Sequence, residues 1–384
     1  MYMGQNILRV CSRCICNSSI PGIRFDNTGV CNYCHEYDER DKDYPLDESG
    51  QTKLFHIIET IKKSGKNKEY DCILGVSGGT DSTYCAYLAK KWGLRPLAVH
   101  FDNNMDSKIA AENIKNACSK LDIDLYTWVV DWDEFRELQV AFLKASVPQA
   151  DMPTDIAYLS VLYKVAQQEG IHYCISGSNF RTEGNEPPAW GYGDGRFISN
   201  VYEKFFQKSL KKTPNHTILD LIKYHYIDGI RMVKPLLYLN YNKCEAMSIL
   251  NKELGWNYYG GHHHESIFTR FIHGYYLPKK FGIDKRIIEY SALIRSHQMT
   301  REEALVQIQK PPCQLEQIQE DEMYVLNKLN LTRDEFDQIM RSPNKLFIEY
   351  NTYYPLIIKM RYMINIANKL NLSPRRVYGN FSYK

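Results

Sequence analysis

The stretch Gly75-Val-Ser-Gly-Gly-Thr-Asp-Ser82 most constrains the fold, because it joins an apolar run to residues with helical spacing. A buried strand, a glycine turn and a helix follow one another here. Gly78 and Gly79 can take φ > 0, and the N–H groups at the helix start favour an anion. Asp81 adds a carboxylate beside the bound phosphate, which makes sense only if a divalent cation lies between the carboxylate and the phosphate. The pattern predicts a phosphate-binding loop, with an inert glycine-serine turn as the alternative.

Two common phosphate loops do not fit this pattern. A Walker loop carries Gly-Lys-Ser/Thr, and a dinucleotide-binding loop carries spaced glycines without an adjoining acid. The motif Ser-Gly-Gly-x-Asp-Ser after a strand resembles the PP-loop of the ATP pyrophosphatase superfamily, in which ATP is split between its α- and β-phosphates. This resemblance implies that ATP binds to Ser77, Gly78, Gly79, Thr80, Asp81 and Ser82.

A second motif lies near the start of the chain, where a C-x2-C pair recurs after sixteen residues. Two such knuckles bring four thiolates to one tetrahedral centre, which predicts a zinc site. A closed four-thiolate site is structural, since zinc needs an open position to activate water. A redox pair is the alternative, and Cys16 and His35 are spare neighbours. The predicted ligands are Cys11, Cys14, Cys31 and Cys34.

Strands and helices alternate from Tyr70 to Ser176, which predicts an α/β fold with a parallel sheet and ligands at the carboxyl ends of the strands. The sheet would gather the phosphate loop, Asp102 to Asn104 and Ser176 to Glu183 around one cleft. Glu183 offers a second carboxylate for magnesium, with a solvent-facing glutamate as the alternative. The irregular stretch 184–200 predicts a lid or substrate loop, and the charged stretch 36–50 predicts a linker.

Composition narrows the class of protein. The 48 Lys and Arg against 45 Asp and Glu give a net charge of +3, which argues against an extended nucleic-acid surface. No apolar segment approaches the ~20 residues of a membrane span, and residues 1–10 are too short and polar for a signal peptide. The odd number of cysteines, 11, argues against a disulfide framework. We therefore expect a cytoplasmic protein with reduced cysteines.

Helices dominate beyond Gly255, and we expect three segments: a zinc-knuckle segment and linker (1–50), an α/β ATP-binding domain (51–255) and a mainly helical substrate or partner region (256–384). Metal binding by His262, His263 and His264 stays open, although three adjacent histidines cannot share one helix face and no HExxH pattern is present. Thr300 and Glu303 predict a capping box. The predicted substrate-contacting residues are Asn179, Arg181, Trp190, Arg270 and Lys279.

The motifs taken together resemble the N-acetyl sugar amidotransferase family, from about Cys11 to about Leu305. The resemblance is carried by the four-cysteine knuckle, the phosphate loop and further segments, namely Phe101-Asp102-Asn103, Gly177-Ser-Asn179 to Glu183, Phe268-Thr-Arg-Phe271 to Lys279, and Gln298-Met-Thr-Arg-Glu-Glu303. These bacterial enzymes act in surface-polysaccharide and nonulosonic-acid pathways. They convert an acetamido group of a nucleotide-linked sugar to an acetamidino group, with ammonia from a separate glutaminase that is commonly paired with a cyclase-like subunit.

The resemblance implies ATP, Mg²⁺ and structural Zn²⁺ as cofactors. The amide oxygen would attack the α-phosphate of ATP, after which ammonia adds and AMP leaves. Asp81 and Glu183 would hold magnesium, Asp102 and Asn103 would lie near ribose or adenine, and Gly177 and Ser178 would contact ATP. A tRNA-thiolating PP-loop enzyme is the first alternative. A zinc-ribbon scaffold with a vestigial nucleotide site is the second.

Overall fold

The computed structural model describes residues 8–261 and 263–369, with the backbone alone for 362–369. Most of the segment considered as a signal peptide, His262 and the basic tail from 370 to 384 lie outside the described residues. Within the described part of the chain, no helix combines the length and the apolar character that crossing a membrane requires.

The sheet has five parallel strands in the order β3-β2-β1-β4-β5. Leu74 in the central strand pairs with Ala98 on one side and with Ile175 on the other. All four residues of β1 are buried, as expected for a strand covered on both faces. The strands are β1 Cys72–Gly75, β2 Pro96–Asp102, β3 Leu125–Val129, β4 Tyr173–Ile175 and β5 Arg231–Val233. The predicted parallel α/β core is confirmed.

The chain order of the strands reverses beside β1, because β2 lies on one side of it and β4 on the other. The loops that follow β1 and β4 therefore separate and leave a crevice at the carboxyl edge of the sheet, where parallel α/β sheets bind ligands. The crevice is where the sequence predicted the phosphate loop and the Glu183 loop to meet. The strand β5 was not predicted, because three residues are too few to show a period.

Helices surround the sheet and form the C-terminal third of the described chain. A π-helix, Ile272–Phe281, continues α11, and another, Lys223–Ile227, continues α9. The helices are α1 Asn32–Asp43, α2 Glu48–Ser64, α3 Thr80–Lys91, α4 Lys108–Leu121, α5 Trp132–Ala145, α6 Met152–Gln168, α7 Pro188–Gly191, α8 Gly195–Phe206, α9 Ile218–Ile222, α10 Lys243–Leu254, α11 Ile267–Phe271, α12 Arg286–Arg295, α13 Arg301–Gln307, α14 Leu315–Leu329, α15 Arg333–Arg341 and α16 Tyr354–Lys369.

Two predicted irregular stretches are partly helical. Most of the expected linker 36–50 belongs to α1 and the start of α2, and α1 buries Tyr33, Cys34 and Tyr37 on one side. The predicted substrate loop 184–200 contains α7 and the start of α8. The capping box of Thr300 and Glu303 is confirmed at the start of α13.

One hydrophobic cluster joins the first and last parts of the chain. It contains the knuckle cysteines, Val140 and Leu143 of α5, and the aromatic side chains of Phe268 and Phe336. The knuckle is thus built into the molecule and does not stand apart from it. The three-segment division at residues 50 and 255 stays a prediction.

Candidate active site

The phosphate loop owes its shape to residues far away in the sequence. Gly78 has φ +76°, and a Cβ there would lie only 2.9 Å from the carbonyl carbon of Ala110, so glycine is required. Its carbonyl oxygen accepts hydrogen bonds from Trp256 Nε1 at 2.9 Å and Asn113 Nδ2 at 3.2 Å. These two contacts hold the turn between α4 and the segment that follows α10.

The N–H groups of the loop have weak partners that a ligand can replace. Gly79 N donates to Ser77 Oγ at 3.3 Å, and Ser77 N donates to Ser82 Oγ at 3.3 Å. Thr80 N, in the first turn of α3, donates to the hydroxyl of Tyr259 at 3.2 Å. The buried Thr80 Oγ1 has no hydrogen-bond partner among the described residues. An anion at this helix start would therefore meet several donors.

Asp81 and Glu183 lie in the same cavity and influence each other electrostatically. A Cβ on Gly177 would lie 2.6 Å from the carbonyl carbon of Asp81, which shows that the loop after β4 packs directly on the start of α3. Glu183 Oε2 accepts a hydrogen bond from Asn179 N at 3.1 Å. Burial and the negative charge of Asp81 raise the pKa of Glu183 to about 7.

These two carboxylates fit a magnesium ion chemically. Hard divalent cations prefer oxygen ligands, and a cation between the two groups would relieve their repulsion. The hydroxyl of Tyr241 donates a hydrogen bond to Asp81 Oδ1. Burial and the Asp81 charge raise the pKa of Tyr241 well above its usual value, so the tyrosine remains a donor. Glu265 Oε2 is buried without a hydrogen-bond partner among the described residues, and it adds a third carboxylate near the phosphate loop.

The cavity has a volume of about 790 Å³. It is lined by most of the residues predicted to bind ATP, namely Ser77, Gly79, Thr80, Asp81, Ser82, Asn103, Gly177 and Ser178, and by Glu183. Two predicted ATP-binding residues do not line it. The Gly78 carbonyl is bonded to Trp256 and Asn113, and Asp102 Oδ1 accepts a hydrogen bond from Asn104 N at 2.8 Å. The ATP roles of the lining residues stay predictions.

The predicted substrate residues lie outside the cavity lining, and their contact with substrate stays a prediction. The guanidinium of Arg181 donates hydrogen bonds to Asp41 Oδ1 at 2.6 Å and to the Leu237 carbonyl oxygen at 2.6 Å. It thereby anchors α1 to the segment that follows β5. The side-chain oxygen of Asn179 accepts hydrogen bonds from Arg181 N and Thr182 N, at 3.1 and 2.9 Å. Both side chains thus shape the Glu183 loop.

The other three predicted substrate residues also have different surroundings. Trp190 is buried in the hydrophobic cluster that holds the knuckle. Arg270 makes a bidentate ion pair with Asp321, with both contacts at 2.7 Å, which ties α11 to α14. Lys279 is exposed. The cavity side of this segment instead presents Thr269 and His273, because residues four apart share a helical face.

Several cavity residues were not predicted as ligand-binding groups. His263 lies 3.6 Å from Glu265, and although burial opposes its charge, Glu265 and Glu183 raise the pKa of His263 to about 9. Lys234 and Lys243 also line the cavity. Part of the wall comes from the knuckle segment, through Pro21, Gly22, Asn32, Tyr33, Glu36 and Arg40.

The four predicted zinc ligands form one buried cluster. The Sγ atoms of Cys11 and Cys34 are 3.9 Å apart, and those of Cys31 lie 3.7 Å from Cys14 and 3.7 Å from Cys34. A tetrahedron with zinc–sulfur distances of about 2.3 Å has sulfur–sulfur edges of about 3.8 Å. The geometry therefore fits a closed four-thiolate zinc centre.

Arg295 connects the thiolates to the cavity wall. Its buried guanidinium donates to the Sγ atoms of Cys34, Cys14 and Cys16, at 3.4, 3.4 and 3.3 Å. Four thiolates and a divalent ion carry a net charge of −2, which this arginine partly offsets. Arg295 ends α12, and the same helix packs against Gly184, since a Cβ there would lie 3.0 Å from the Ile288 carbonyl. The helix therefore runs from the thiolate centre to the residue after Glu183.

Two family models match parts of the chain. The model described as "LPS biosynthesis protein WbpG-like, C-terminal domain" matches residues 265–364. The model described as "Queuosine biosynthesis protein QueC" matches residues 71–165. The first match starts at the cavity-lining Glu265, and the second includes the phosphate loop.

Individual relatives match part of the chain. A 7-cyano-7-deazaguanine synthase of Clostridium botulinum (strain 657 / Type Ba4) is 30% identical over 162 residues, which is 39% of this chain and 67% of the relative. The tRNA-specific 2-thiouridylase MnmA of Pseudoalteromonas translucida is 31% identical over 132 residues, 31% of this chain and 36% of the relative. A solved NH3-dependent NAD synthetase from Campylobacter jejuni is 19% identical, with 53% of this chain and 93% of that chain covered, and its TM-score of 0.28 supports no argument.

Proposed function

Because this chain belongs to the PP-loop ATP pyrophosphatases and carries a WbpG-like C-terminal domain, as its motifs predicted, we propose that it is an AMP-forming N-acetyl sugar amidotransferase. The reaction would convert an acetamido group of a nucleotide-linked diacetamido sugar to an acetamidino group. An ATP-dependent enzyme of the amidating or ligase type is the class that its relatives support. The sugar and its place in surface-polysaccharide biosynthesis belong to the proposal.

One observation supports the proposal most directly: the phosphate loop, Asp81 and Glu183 share a cavity with residues of the WbpG-like domain. The WbpG-like segment supplies Glu265, Thr269, His273 and other groups of the opposite wall. An ATP site that faces the part of the chain shared with a lipopolysaccharide-biosynthesis family suits a reaction between ATP and a sugar substrate.

The chemistry required is the activation of an amide oxygen. That oxygen cannot leave by itself, but its attack on the α-phosphate of ATP makes it part of an AMP leaving group and expels pyrophosphate. Ammonia then adds to the carbon, and AMP departs. Magnesium, which Asp81 and Glu183 would hold, supplies charge neutralisation on the phosphates.

The described side chains supply positioning and electrostatic stabilisation. The loop N–H groups would bind the leaving pyrophosphate, and Lys234 and Lys243 would add positive charge on the same side of the cavity. Tyr241 orients the Asp81 carboxylate through its hydrogen bond. The proposal includes ammonia from a separate glutaminase, with a cyclase-like subunit, and a cytoplasmic location that agrees with eleven free cysteines.

tRNA thiolation is the main competing function, and the similarity to a thiouridylase favours it. Such enzymes usually need cysteines beside the ATP site. Here none of the cysteines lines the cavity, and Cys72, Cys85 and Cys174 are fully buried in the core. The thiolating reaction is therefore disfavoured.

The proposal is tested with the whole chain, Mg-ATP, ammonium and CMP- or UDP-linked diacetamido sugars. We expect AMP, pyrophosphate and a sugar product in which one oxygen has been exchanged for NH, detected by mass spectrometry. ATP turnover that requires tRNA and ignores every sugar would refute the proposal. Failure to bind Mg-ATP at all would favour the scaffold with a vestigial site.

A further inference from the structure

The start of α6 carries a carboxylate, Asp155, that forms no hydrogen bond or ion pair with another described residue. Asp155 lines the cavity and is exposed to it. Eight carboxylates line this cavity, and for seven of them a hydrogen bond or an ion pair with another described residue is present. Within the described chain, Asp155 has neither. The eight are Glu36, Asp81, Asp106, Asp151, Asp155, Glu183, Glu186 and Glu265.

The charged groups beside Asp155 already have partners of opposite charge. Asp151 Oδ2 lies 2.7 Å from His273 Nε2 and 3.8 Å from Lys285 Nζ, and Lys285 Nζ lies 3.1 Å from Glu186. Burial and the Lys285 charge lower the pKa of His273, which keeps the imidazole neutral near pH 7. Asp155 therefore remains as a carboxylate of this wall that can accept hydrogen bonds from a small ligand.

The wall lies close to the site where ATP would react. The hydroxyl of Tyr158, on the same helix face one turn after Asp155, contacts Gly75 at the end of β1. Thr154 Oγ1 accepts a hydrogen bond from Asn103 Nδ2 at 3.1 Å. The charge of His263 acts on both Asp155 and Glu183. Asp155 therefore faces the same cavity as the carboxylate pair of Asp81 and Glu183.

We propose that Asp155 holds ammonia in the cavity and accepts a proton from its nitrogen as that nitrogen bonds to the activated carbon, so that it is a catalytic residue of the second half-reaction. This inference rests on the proposed function. A carboxylate is an acceptor only, and every N–H of ammonium or ammonia is a donor, so the two groups match. The neighbouring Asp151 and Glu186 already form ion pairs, and they would lose these if they accepted the proton instead.

The step balances in atoms and charge. Ammonia nitrogen forms a bond to the carbon of the adenylated imidate, one proton of the resulting –NH3⁺ group moves to the Asp155 carboxylate, and the carbon–oxygen bond then breaks with its electron pair leaving on AMP. The amide oxygen ends on AMP. The sugar keeps the new nitrogen as an amidine.

The surroundings tune Asp155 for proton transfer near neutral pH. The protein that encloses the cavity shields Asp155 from bulk water, and this desolvation and the Asp151 charge raise its pKa to about 7; Glu186 adds to the rise, and Lys285 and His263 oppose it. A general base works best when its pKa lies near the working pH. The proton-accepting form therefore becomes fully populated above pH 7.

The test separates the two half-reactions in the wild-type chain, Asp155→Asn and Asp155→Glu. Sugar-dependent ATP–pyrophosphate exchange reports adenylation, and amidine formation reports ammonia addition. We expect Asp155→Asn to keep exchange within about twofold and to reduce ammonium-dependent kcat/KM by ~10²-fold or more. The rise of kcat/KM through pH 7, expressed per NH3 concentration, should disappear. Hydroxylamine, whose adduct is more acidic than the ammonia adduct and loses its proton more readily to water, should restore turnover in part, and Asp155→Glu should keep a measurable fraction of the ammonium rate.

Three outcomes would overturn the inference: an unchanged ammonium rate, an unchanged pH profile, or an equal loss of exchange and amidation in a variant with wild-type melting temperature. The last would make Asp155 a binding residue for ATP or sugar. Wild-type protein without sugar-dependent exchange would refute the proposed function itself, which keeps the two failures distinct. Asp133→Asn, at an exposed carboxylate in the first turn of α5 and outside the cavity lining, is the matched control and should leave both half-reactions unchanged.

Discussion

Two clusters suited to metal ions, the four thiolates and the carboxylate pair of Asp81 and Glu183, differ in almost every respect. The four thiolates are fully buried, close enough to share one ion, and enclosed by Arg295. The carboxylates of Asp81 and Glu183 face a cavity and sit on two loops joined by the sheet. The first arrangement leaves no open position for a substrate, and the second is open to one. Closed donor sets are typical of structural metal sites, and open donor sets are typical of catalytic metal sites.

The largest effect should come from removing one thiolate. Cys31→Ser removes one ligand and is expected to abolish zinc binding and to destabilise the fold by more than ~4 kcal/mol, the range of metal loss. Zinc content by atomic emission and unfolding by urea measure the two effects. Cys16→Ser is the matched control, because Cys16 is equally buried beside the centre but lies outside the four-ligand cluster. Equal zinc loss in both variants would contradict the assignment.

Removing a carboxylate should separate activity from stability. Asp81→Asn is expected to reduce AMP formation by ~10³-fold through loss of charge stabilisation, with zinc content and urea unfolding unchanged. Asp133→Asn should retain at least half of the activity, since Asp133 is an exposed carboxylate in the first turn of α5 and lies outside the cavity lining. If Asp81→Asn also lost zinc, the two clusters would not be independent.

Substitution of Arg295 tests whether its positive charge stabilises the thiolate centre. Arg295→Met leaves the net charge of −2 on the zinc centre without its buried counter-charge, and we expect a loss of about 3 kcal/mol in unfolding free energy. Arg295→Lys keeps the charge but cannot contact three sulfurs, so its loss should be smaller. Tighter zinc retention in the methionine variant than in the wild type would show that the arginine is not a stabilising counter-charge.

The smallest expected effect comes from removing the hydrogen bond that orients the Asp81 carboxylate. Tyr241→Phe removes the hydrogen bond to Asp81 and should weaken Mg²⁺ or Mn²⁺ binding by about tenfold, the lower range for groups that orient metal ligands. Isothermal titration with Mn-ATP measures it. Tyr84→Phe, which alters a neighbouring ring 5.5 Å from Tyr241, should change nothing. An effect of equal size in both variants would point to lost packing.

The same contrast explains what the sequence could and could not predict. The thiolate ligands repeat within one short segment, so their spacing alone placed them correctly. The Asp81 and Glu183 loops are about 100 residues apart, yet each follows a buried apolar strand, and the geometry of a parallel sheet brings such loops to one edge. Both predictions depended on local patterns and one rule of topology.

No such rule of topology predicts which residues line the opposite wall of the cavity. Glu265, His273 and Lys285 reach it through the packing of helices whose arrangement no local pattern encodes. For the same reason, a conspicuous Arg270 was predicted to bind substrate, although Asp321 of a distant helix already holds it. Trp190 shows the same ambiguity, since an aromatic side chain in a polar loop serves a core as well as a ligand.

The helix α1 carries the ligand Cys34 and also the cavity-lining residues Tyr33 and Glu36. A chain deprived of zinc would lose the anchor of this helix and admit solvent to the reaction chamber. In the proposed reaction, water would then compete with ammonia for the activated carbon and regenerate the starting amide, so each cycle would consume one ATP without a product. If the proposed function holds, loss of zinc would therefore turn a synthetic catalyst into one that only hydrolyses ATP.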